Sequence, residues 1–178
     1  MLIFFDTFAP VARMASFRLF VALSALLTLE IDSCDVNTAY INADLQIPQY
    51  VNRIQCHVSD SSKAFIVRKA LYGLRQAGRG WNTELDRFLQ AQDFEHGQTE
   101  PCLYIRWKNG NVCLMLVYVD DVLAATKSVE LKDDRFKLLN EQYGIKDHGR
   151  ATQYLGVEID RNDSNYCLQK TQYTREVL

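Results

Sequence analysis

Helical periodicity marks four segments of the chain. They cover residues 13–30, 80–94, 129–144 and 171–178. The first segment is apolar on most sides and predicts a buried helix, with Ser16 as its N-cap. In the second segment, apolar side chains recur at positions i, i+4, i+7 and i+8, which predicts an amphipathic helix. Ser128 and Gly144 are suited to begin and end the third helix.

Short runs rich in β-branched and aromatic residues lie between the helical segments and predict strands. These runs cover residues 31–36, 63–73, 103–119, 122–126, 154–160 and 166–169. The second run leads into a turn at Gly73. The dipeptide Asn109-Gly110 divides the third run into a hairpin, because it favours a two-residue turn. Helices mixed with adjacent hairpins predict an α+β fold, in which a small antiparallel sheet packs on helices.

Composition and charge add one local feature. Of the 178 residues, 48% are hydrophobic and 24% are charged, and the net charge is −2, as in an ordinary globular protein. Residues 61–80 nevertheless contain basic side chains and no acidic ones. The basic residues are Lys63, Arg68, Lys69, Arg75 and Arg79. Such a segment is either a solvated face or a surface that contacts phosphate groups.

Cysteines and histidines give no sign of a disulfide framework or a zinc site. The five cysteines are irregularly spaced and form no CxxC pair, which favours free thiols in a reducing compartment. The three histidines are scattered along the chain. The longest apolar run, near residues 19–29, is shorter than the roughly 20 residues that span a bilayer. We therefore expect no membrane partner.

Two adjacent aspartates, Asp120 and Asp121, interrupt an apolar segment. Burying an isolated carboxylate is costly, so the pair requires a hairpin turn and a neutralising partner. A divalent cation is such a partner, because Mg²⁺ prefers hard oxygen ligands. The other such pair, Asp133-Asp134, lies on a charged helix face and predicts a solvated surface pair.

Asp35 supplies a third carboxylate at the end of a predicted strand. Carboxylates from two neighbouring strands can hold two metal ions about 3.5–4 Å apart, as in polymerases and nucleases. Spacing alone leaves two other interpretations open. One is a structural or solvated turn, and the other is a two-metal nuclease or cyclase.

Six motifs occur in a single order along the chain. They are "TFAPVARM" (7–14), "DVNTAYINADL" (35–45), "KALYGLRQAGRGW" (69–81), "LVYVDD" (116–121), "YGIKDHG" (143–149) and "YLGVEI" (154–159). Together they resemble the reverse transcriptase of copia-class long-terminal-repeat retrotransposons. A nuclease or cyclase would not account for "YGLRQ" or "YLGVEI".

The resemblance implies a right-hand polymerase fold. Residues 1–178 would form a single reverse-transcriptase unit. Within it, residues 1–42 and 78–160 would form the palm, residues 43–77 a partial fingers subdomain, and residues 161–178 the start of the thumb.

The resemblance also assigns catalytic residues. Asp35 matches the first catalytic aspartate, and Asp120 and Asp121 match the pair of the YxDD motif. Asp35, Asp120 and the backbone carbonyl of Val36 would hold two Mg²⁺ or Mn²⁺ ions, with Asp121 in support. One ion would lower the pKa of the primer 3′-hydroxyl, and the other would stabilise the triphosphate and the leaving pyrophosphate.

Further residues would shape the nucleotide pocket. Tyr40 matches the aromatic steric gate that excludes the 2′-hydroxyl of ribonucleotides, although a core aromatic would give the same pattern. Tyr72 and Gly73 would border the pocket. Lys146 would be either a general acid for pyrophosphate or a solvated turn lysine.

Template and primer contacts are implied in two segments. Arg75 and Gln76 would contact the template or the incoming nucleotide. The "YLGVEI" hairpin would place Leu155, Gly156 and Val157 near the primer end.

The resemblance therefore implies an RNA-directed DNA polymerase. It would use an RNA or DNA template with a primer, and deoxynucleotide triphosphates, in cytoplasmic retrotransposon particles. In the family, a basic fingers hairpin precedes "TFAPVAR" and a complete thumb follows. We therefore expect the 178-residue chain alone to bind primer-template weakly and to extend it little.

A second hypothesis is a degenerate or domesticated retroelement fragment that binds nucleic acid or a partner without catalysis. Gly78 favours it, because the family usually has proline there, and glycine leaves the backbone less fixed. The oligomeric state does not follow from the sequence.

Overall fold

Helices and strands alternate along the chain. The computed structural model describes residues 7–51, 64–162 and 165–177. The helices are α1 (Met14–Leu26), α2 (Ala77–Ala91), α3 (Val129–Tyr143) and α4 (Thr171–Val177), with a short 3₁₀ helix at Ala39–Asn42. The strands are β1 (Glu30–Val36), β2 (Asp44–Val51), β3 (Phe65–Lys69), β4 (Glu95–His96), β5 (Leu103–Lys108), β6 (Asn111–Tyr118), β7 (Asp121–Thr126), β8 (Ile145–Arg150), β9 (Gln153–Tyr154), β10 (Val157–Asn162) and β11 (Asn165–Gln169). Sequence expectations at Cys56, His57 and Lys63 lie outside the described residues.

The strands form three antiparallel sheets. The main sheet has six strands in the order β4-β5-β6-β7-β1-β8, and the others are β11-β10-β9 and β2-β3. The α+β class with antiparallel sheets packed on helices is confirmed. The main sheet is larger than expected, because β1 pairs with β7 on one side and with β8 on the other.

Helices cover both faces of the main sheet. On one face, here called the α2 face, α2 and α3 pack around Trp81 and Leu85. On the other, the α1 face, α1 and the β9–β10 hairpin pack around Phe17 and Leu116. Successive residues of a strand point to opposite faces, so each central strand serves both cores.

Three local predictions are confirmed. Asn109 and Gly110 have φ values of 53° and 74° between β5 and β6, as a two-residue hairpin turn requires. The Ser128 hydroxyl accepts a hydrogen bond from the Leu131 amide at 3.4 Å and caps α3. Gly144, with φ of 73°, follows the end of α3.

The prediction for α1 is wrong in two respects. The helix begins after Arg13, which provides no side-chain cap. Ser16 lies inside the helix and is buried, and its hydroxyl donates a hydrogen bond to the Glu100 carboxylate. Leu19 and Leu26 are 45% and 79% exposed, so α1 is an outer layer and not a helix buried on most sides.

Strands β2, β4 and β8 were not predicted. β2 contains Pro48, which disfavours a strand, and β8 is polar and contains a glycine. Both are edge strands of their sheets, where such residues are tolerated. The predicted strand over residues 154–160 is divided between β9 and β10 by a turn.

The described cysteines are free, as predicted. Cys34, Cys102 and Cys113 are buried, and Cys167 is exposed. Within residues 7–51, 64–162 and 165–177, no helix has the length and apolar character needed to cross a membrane.

Candidate active site

One end of the main sheet brings together two of the predicted catalytic residues. Asp35 on β1 and Asp121 on β7 are direct register partners. Side chains of directly opposed residues lie on the same face of a sheet, here the α1 face. Both aspartates are half-buried. They line an open cleft of about 450 Å³, the carboxylate cleft, whose walls include His148, Leu155 and Gly156.

Asp35 and Asp121 lie close together in this cleft, whose lining also includes Arg150. Burial, a hydrogen bond with Asp35 and the charges of Asp35 and Asp120 together raise the pKa of Asp121 to about 6. Electrostatic interaction with His148 lowers the pKa of Asp121. A bound cation would offset the repulsion between these carboxylates.

Val119 and Asp120 form the two-residue turn that joins β6 to β7. Val119 has φ of 57°, a region that β-branched residues rarely occupy. Two hydrogen bonds hold the turn. The indole Nε1 of Trp81 donates to the Val119 carbonyl at 2.8 Å. The Val36 amide donates to the Asp120 carbonyl at 2.8 Å.

The Asp120 side chain makes its contact away from the cleft, with a pair of tyrosines. The Tyr72 hydroxyl donates to Oδ2 of Asp120 at 3.4 Å. The rings of Tyr72 and Tyr40 are tilted against each other, with centroids 4.2 Å apart. Burial and the charge of Asp120 raise the pKa of both tyrosines. In the described part of the chain, no group of three or more His, Cys, Asp or Glu side chains is arranged to hold a metal ion.

The segment before α2 places the other residues predicted for nucleotide and template. Gly73 has φ of 94°, in the region that favours glycine. Arg75 is exposed. The Gln76 side-chain amide donates to the Ile47 carbonyl at 2.9 Å and so ties the start of α2 to β2. Its Oε1 atom is buried and accepts no hydrogen bond from any described residue.

The predicted "YLGVEI" hairpin is present at the wall of the cleft. Leu155 and Gly156 have φ values of 47° and 75° and form the turn between β9 and β10. The φ of Gly156 favours glycine in this turn, whereas space does not require it, because an added Cβ would meet no atom within 4 Å. Val157 is buried in the core of the α1 face and anchors the hairpin.

Sequence reasoning missed the contribution of His148 and Trp81. The His148 Nε2 atom lies 3.0 Å from Oδ2 of Asp35. The "KDHG" sequence contains a turn signal, an aspartate two residues before a glycine, that could have indicated a bend here. Lys146, the suggested general acid, is exposed and is the β8 register partner of Asp35.

Nearly the whole chain is similar to known proteins. A family model described as "Reverse transcriptase (RNA-dependent DNA polymerase)" matches residues 2–178. A retrovirus-related Pol polyprotein from transposon TNT 1-94 of Nicotiana tabacum is 33% identical over 98% of this chain and 14% of its own length. The corresponding polyprotein from transposon RE1 of Arabidopsis thaliana is 28% identical over 97% of this chain and 12% of its own length.

A shorter relative is a putative transposon Ty5-1 protein of Saccharomyces cerevisiae, which is 30% identical over 73% of this chain and 43% of its own length. The chain therefore spans about one seventh or less of the plant polyproteins and under half of the yeast protein. No solved structure matches the chain significantly.

Proposed function

Because the chain belongs to the reverse transcriptase (RNA-dependent DNA polymerase) family, we propose that it is the polymerase unit of a copia-like retrotransposon polyprotein. The main sheet with α1, α2 and α3 is the palm of a right-hand polymerase fold. The β2–β3 sheet belongs to a partial fingers subdomain, and α4 belongs to the start of the thumb. Its location in cytoplasmic retrotransposon particles stays a prediction.

The reaction is extension of a primer on an RNA or DNA template. The primer 3′-hydroxyl oxygen forms a bond to the α-phosphorus of a deoxynucleotide triphosphate, and the bond to the leaving pyrophosphate breaks. The single observation that carries this proposal is the register pairing of Asp35 with Asp121, directly beside the turn that contains Asp120. Carboxylates on neighbouring strands are the protein's part of a two-metal site.

The chemistry of the site fits a hard divalent cation. Asp35 and Asp121 present oxygen ligands to an open cleft. The pKa of Asp121 is raised first by burial and then by the neighbouring carboxylates, and a cation would offset both effects on its charged form. Asp120 and the Val36 carbonyl are the further ligands that the family resemblance assigns. Mg²⁺ or Mn²⁺ would activate the 3′-hydroxyl and neutralise the triphosphate.

Neighbouring residues bind the substrates. Tyr40 and Tyr72 form the wall against which the deoxyribose and base of the incoming nucleotide lie. Their ring contact supports this, because it sets both rings beside Asp120. Arg75 and Gln76 contact the template or the nucleotide, and the hairpin of Leu155, Gly156 and Val157 lies against the primer end.

The test is metal binding and single-nucleotide incorporation with primer-template and deoxynucleotide present. Asp35→Asn and Asp120→Asn should each remove most Mn²⁺ affinity, measured by titration calorimetry. Asp134→Asn is the matched control, because Asp134 is exposed on α3, whereas its neighbour Asp133 forms an ion pair with Lys132. An Asp134→Asn variant as defective as the other two would refute the metal site.

Incorporation separates this function from the second hypothesis, a retroelement fragment that only binds nucleic acid. A polymerase unit adds one labelled deoxynucleotide in the presence of Mg²⁺ or Mn²⁺, even if slowly, and Asp35→Asn abolishes the addition. A fragment that only binds would retain the primer-template in a gel-shift assay without any metal-dependent addition. The geometry of Asp35 and Asp121 favours the first outcome.

A further inference from the structure

His148 contacts the carboxylate cleft from the edge strand β8. Its Nε2 atom lies 3.0 Å from Oδ2 of Asp35, although the two residues are 113 positions apart in the chain. In the tautomer with hydrogen on Nε2, the ring donates a hydrogen bond to this oxygen. Such a bond uses one lone pair of Oδ2, and the histidine makes no contact with Oδ1.

The backbone of β8 is built to place His148 at this point. The register between β1 and β8 pairs Ser33 with Gly149 and Cys34 with Asp147. His148 is therefore the extra residue of a β-bulge and has no partner on β1. Bulges redirect side chains relative to a regular strand and are common beside active sites.

Two further contacts hold the bulge in place. The Gly149 amide donates to Oδ1 of Asp147 at 2.7 Å. The Lys132 ammonium group, on α3, donates to Oδ2 of the same carboxylate at 3.0 Å. Gly149 has φ of 70°, a conformation that favours glycine. The backbone on both sides of His148 is thus held by the turn and by the helix behind the strand, and the exposed His148 side chain reaches Asp35 from this bulge.

We propose that His148 is a positioning residue for Asp35. By holding Oδ2, it fixes the orientation in which Oδ1 is presented to a divalent cation. The proposal rests on the proposed function, since it assumes that Asp35 is a metal ligand. Hydrogen-bond partners of metal-ligating groups typically contribute about 10–100-fold to metal affinity.

The experiment is a titration of the intact chain with Mn²⁺ alone, followed by the electron paramagnetic resonance signal of the free ion. His148→Leu removes the donor, and His148→Gln retains an N–H donor on a side chain of similar length. His96→Leu is the matched control, because His96 makes an equivalent contact with Asp86, at 3.1 Å, far along the same sheet. Thermal melting curves verify that each variant is folded.

We expect His148→Leu to weaken Mn²⁺ binding about tenfold or more, and His148→Gln to bind within about threefold of the natural chain. His96→Leu should bind like the natural chain, and Asp35→Asn should not bind. Rescue by glutamine distinguishes orientation of Asp35 from a general effect on folding.

Three results would overturn the proposal. If His148→Leu binds Mn²⁺ as well as the natural chain or more tightly, while Asp35→Asn does not bind, the proposed function stands and the role of His148 is refuted. If His148→Gln is as weak as His148→Leu, a hydrogen bond to Asp35 is not the cause. If the natural chain binds no Mn²⁺ on its own, the positioning role is refuted, whereas the proposed function is judged by Mn²⁺ binding with primer-template and deoxynucleotide present.

Discussion

The folded protein disfavours the charged form of the Asp121 carboxyl group. Its carboxyl group faces Asp35 directly, with Asp120 next to it in the chain and His148 across the cleft. A carboxylic acid whose pKa is raised in the folded state binds a proton more tightly there than in the unfolded chain. Its contribution to stability is therefore complete below the unfolded pKa and is lost as the pH rises through the folded pKa.

The first prediction concerns the pH dependence of stability without metal. The pKa of Asp121 rises from 3.8 in the unfolded chain to about 6 in the folded protein. The contribution of this group to the free energy of unfolding should therefore fall as the pH rises from about 4 through about 6. The full shift corresponds to about 3 kcal/mol, which solvent screening of a half-exposed group reduces to roughly 1–2 kcal/mol. Asp121→Asn should therefore be more stable than the natural chain at pH 7, but not at pH 4. Urea denaturation in EDTA at both pH values measures the difference, and an equal difference at both would contradict the prediction.

The second prediction concerns sugar selection at Tyr40. This ring packs against Tyr72, whose hydroxyl reaches Asp120, so removing it opens space beside the proposed nucleotide position. Tyr40→Ala should reduce discrimination against ribonucleotides by about 10–100-fold in a form of the protein that extends primers. Tyr40→Phe keeps the ring and should retain selectivity. If Tyr40→Ala selects as strictly as the natural chain, the ring serves only in packing.

Gly78 lies in the first turn of α2. A Cβ atom at Gly78 would meet the Ala9 Cβ at 3.4 Å and the Tyr40 hydroxyl at 3.7 Å, which are ordinary contacts. The glycine is therefore not required by space or by backbone conformation. It costs conformational entropy, and it leaves the wall behind Tyr40 less tightly packed.

The third prediction follows from this geometry. Gly78→Ala should stabilise the protein by roughly 0.5–1 kcal/mol, because alanine loses less backbone entropy on folding. Gly144→Ala provides the contrast. Its φ is 73°, and the added Cβ would lie 3.1 Å from the Asn37 side-chain nitrogen, so this change should destabilise the protein. Denaturant midpoints measure both, and a destabilised Gly78→Ala would show that the first turn of α2 needs glycine.

Periodicity and turn residues predicted the local elements because each depends on a short segment. The Asn109-Gly110 hairpin and the Ser128 cap are examples. Strands β2 and β8 escaped prediction because their stability comes from pairing with distant partners, and not from their own composition. Ser16 was misassigned because its hydroxyl bonds to Glu100, a contact across 84 residues.

The same limit applies to the site. Asp120 and Asp121 stood out because carboxylates in apolar surroundings are conspicuous in a sequence, and Asp35 because it follows a predicted strand. The sequence did not predict that Asp120 would be separated from Asp35 and Asp121, since this depends on which face of the sheet each side chain takes at the β6–β7 turn. His148 looked like a scattered histidine, because a one-residue bulge in β8 decides where it points.

The fold as a whole places the candidate site where the two cores meet. Each strand of the main sheet contributes alternate residues to the α1 face and the α2 face, so the cores share one backbone. Asp35 and Asp121 belong to the α1 face, whereas Tyr40 and Tyr72 lie with Asp120 on the other side of the turn. A substitution that destabilises one core should therefore also destabilise the other, because both cores share the sheet. A site built from both faces forms only when the two cores fold together.

The fourth prediction tests this coupling. Leu116 is fully buried in the α1 face, so Leu116→Ala should cost about 2–5 kcal/mol. Trp81 is in the core of the α2 face and reports on that side by fluorescence, in a background where the exposed Trp107 is changed to phenylalanine. If the two faces unfold as one unit, the Trp81 transition and the far-UV circular dichroism transition move together to lower urea. Leu26→Ala, at a residue 79% exposed on α1, should change stability by less than about 0.5 kcal/mol. A Trp81 transition that stays in place while the dichroism shifts would show that the α2 face folds independently.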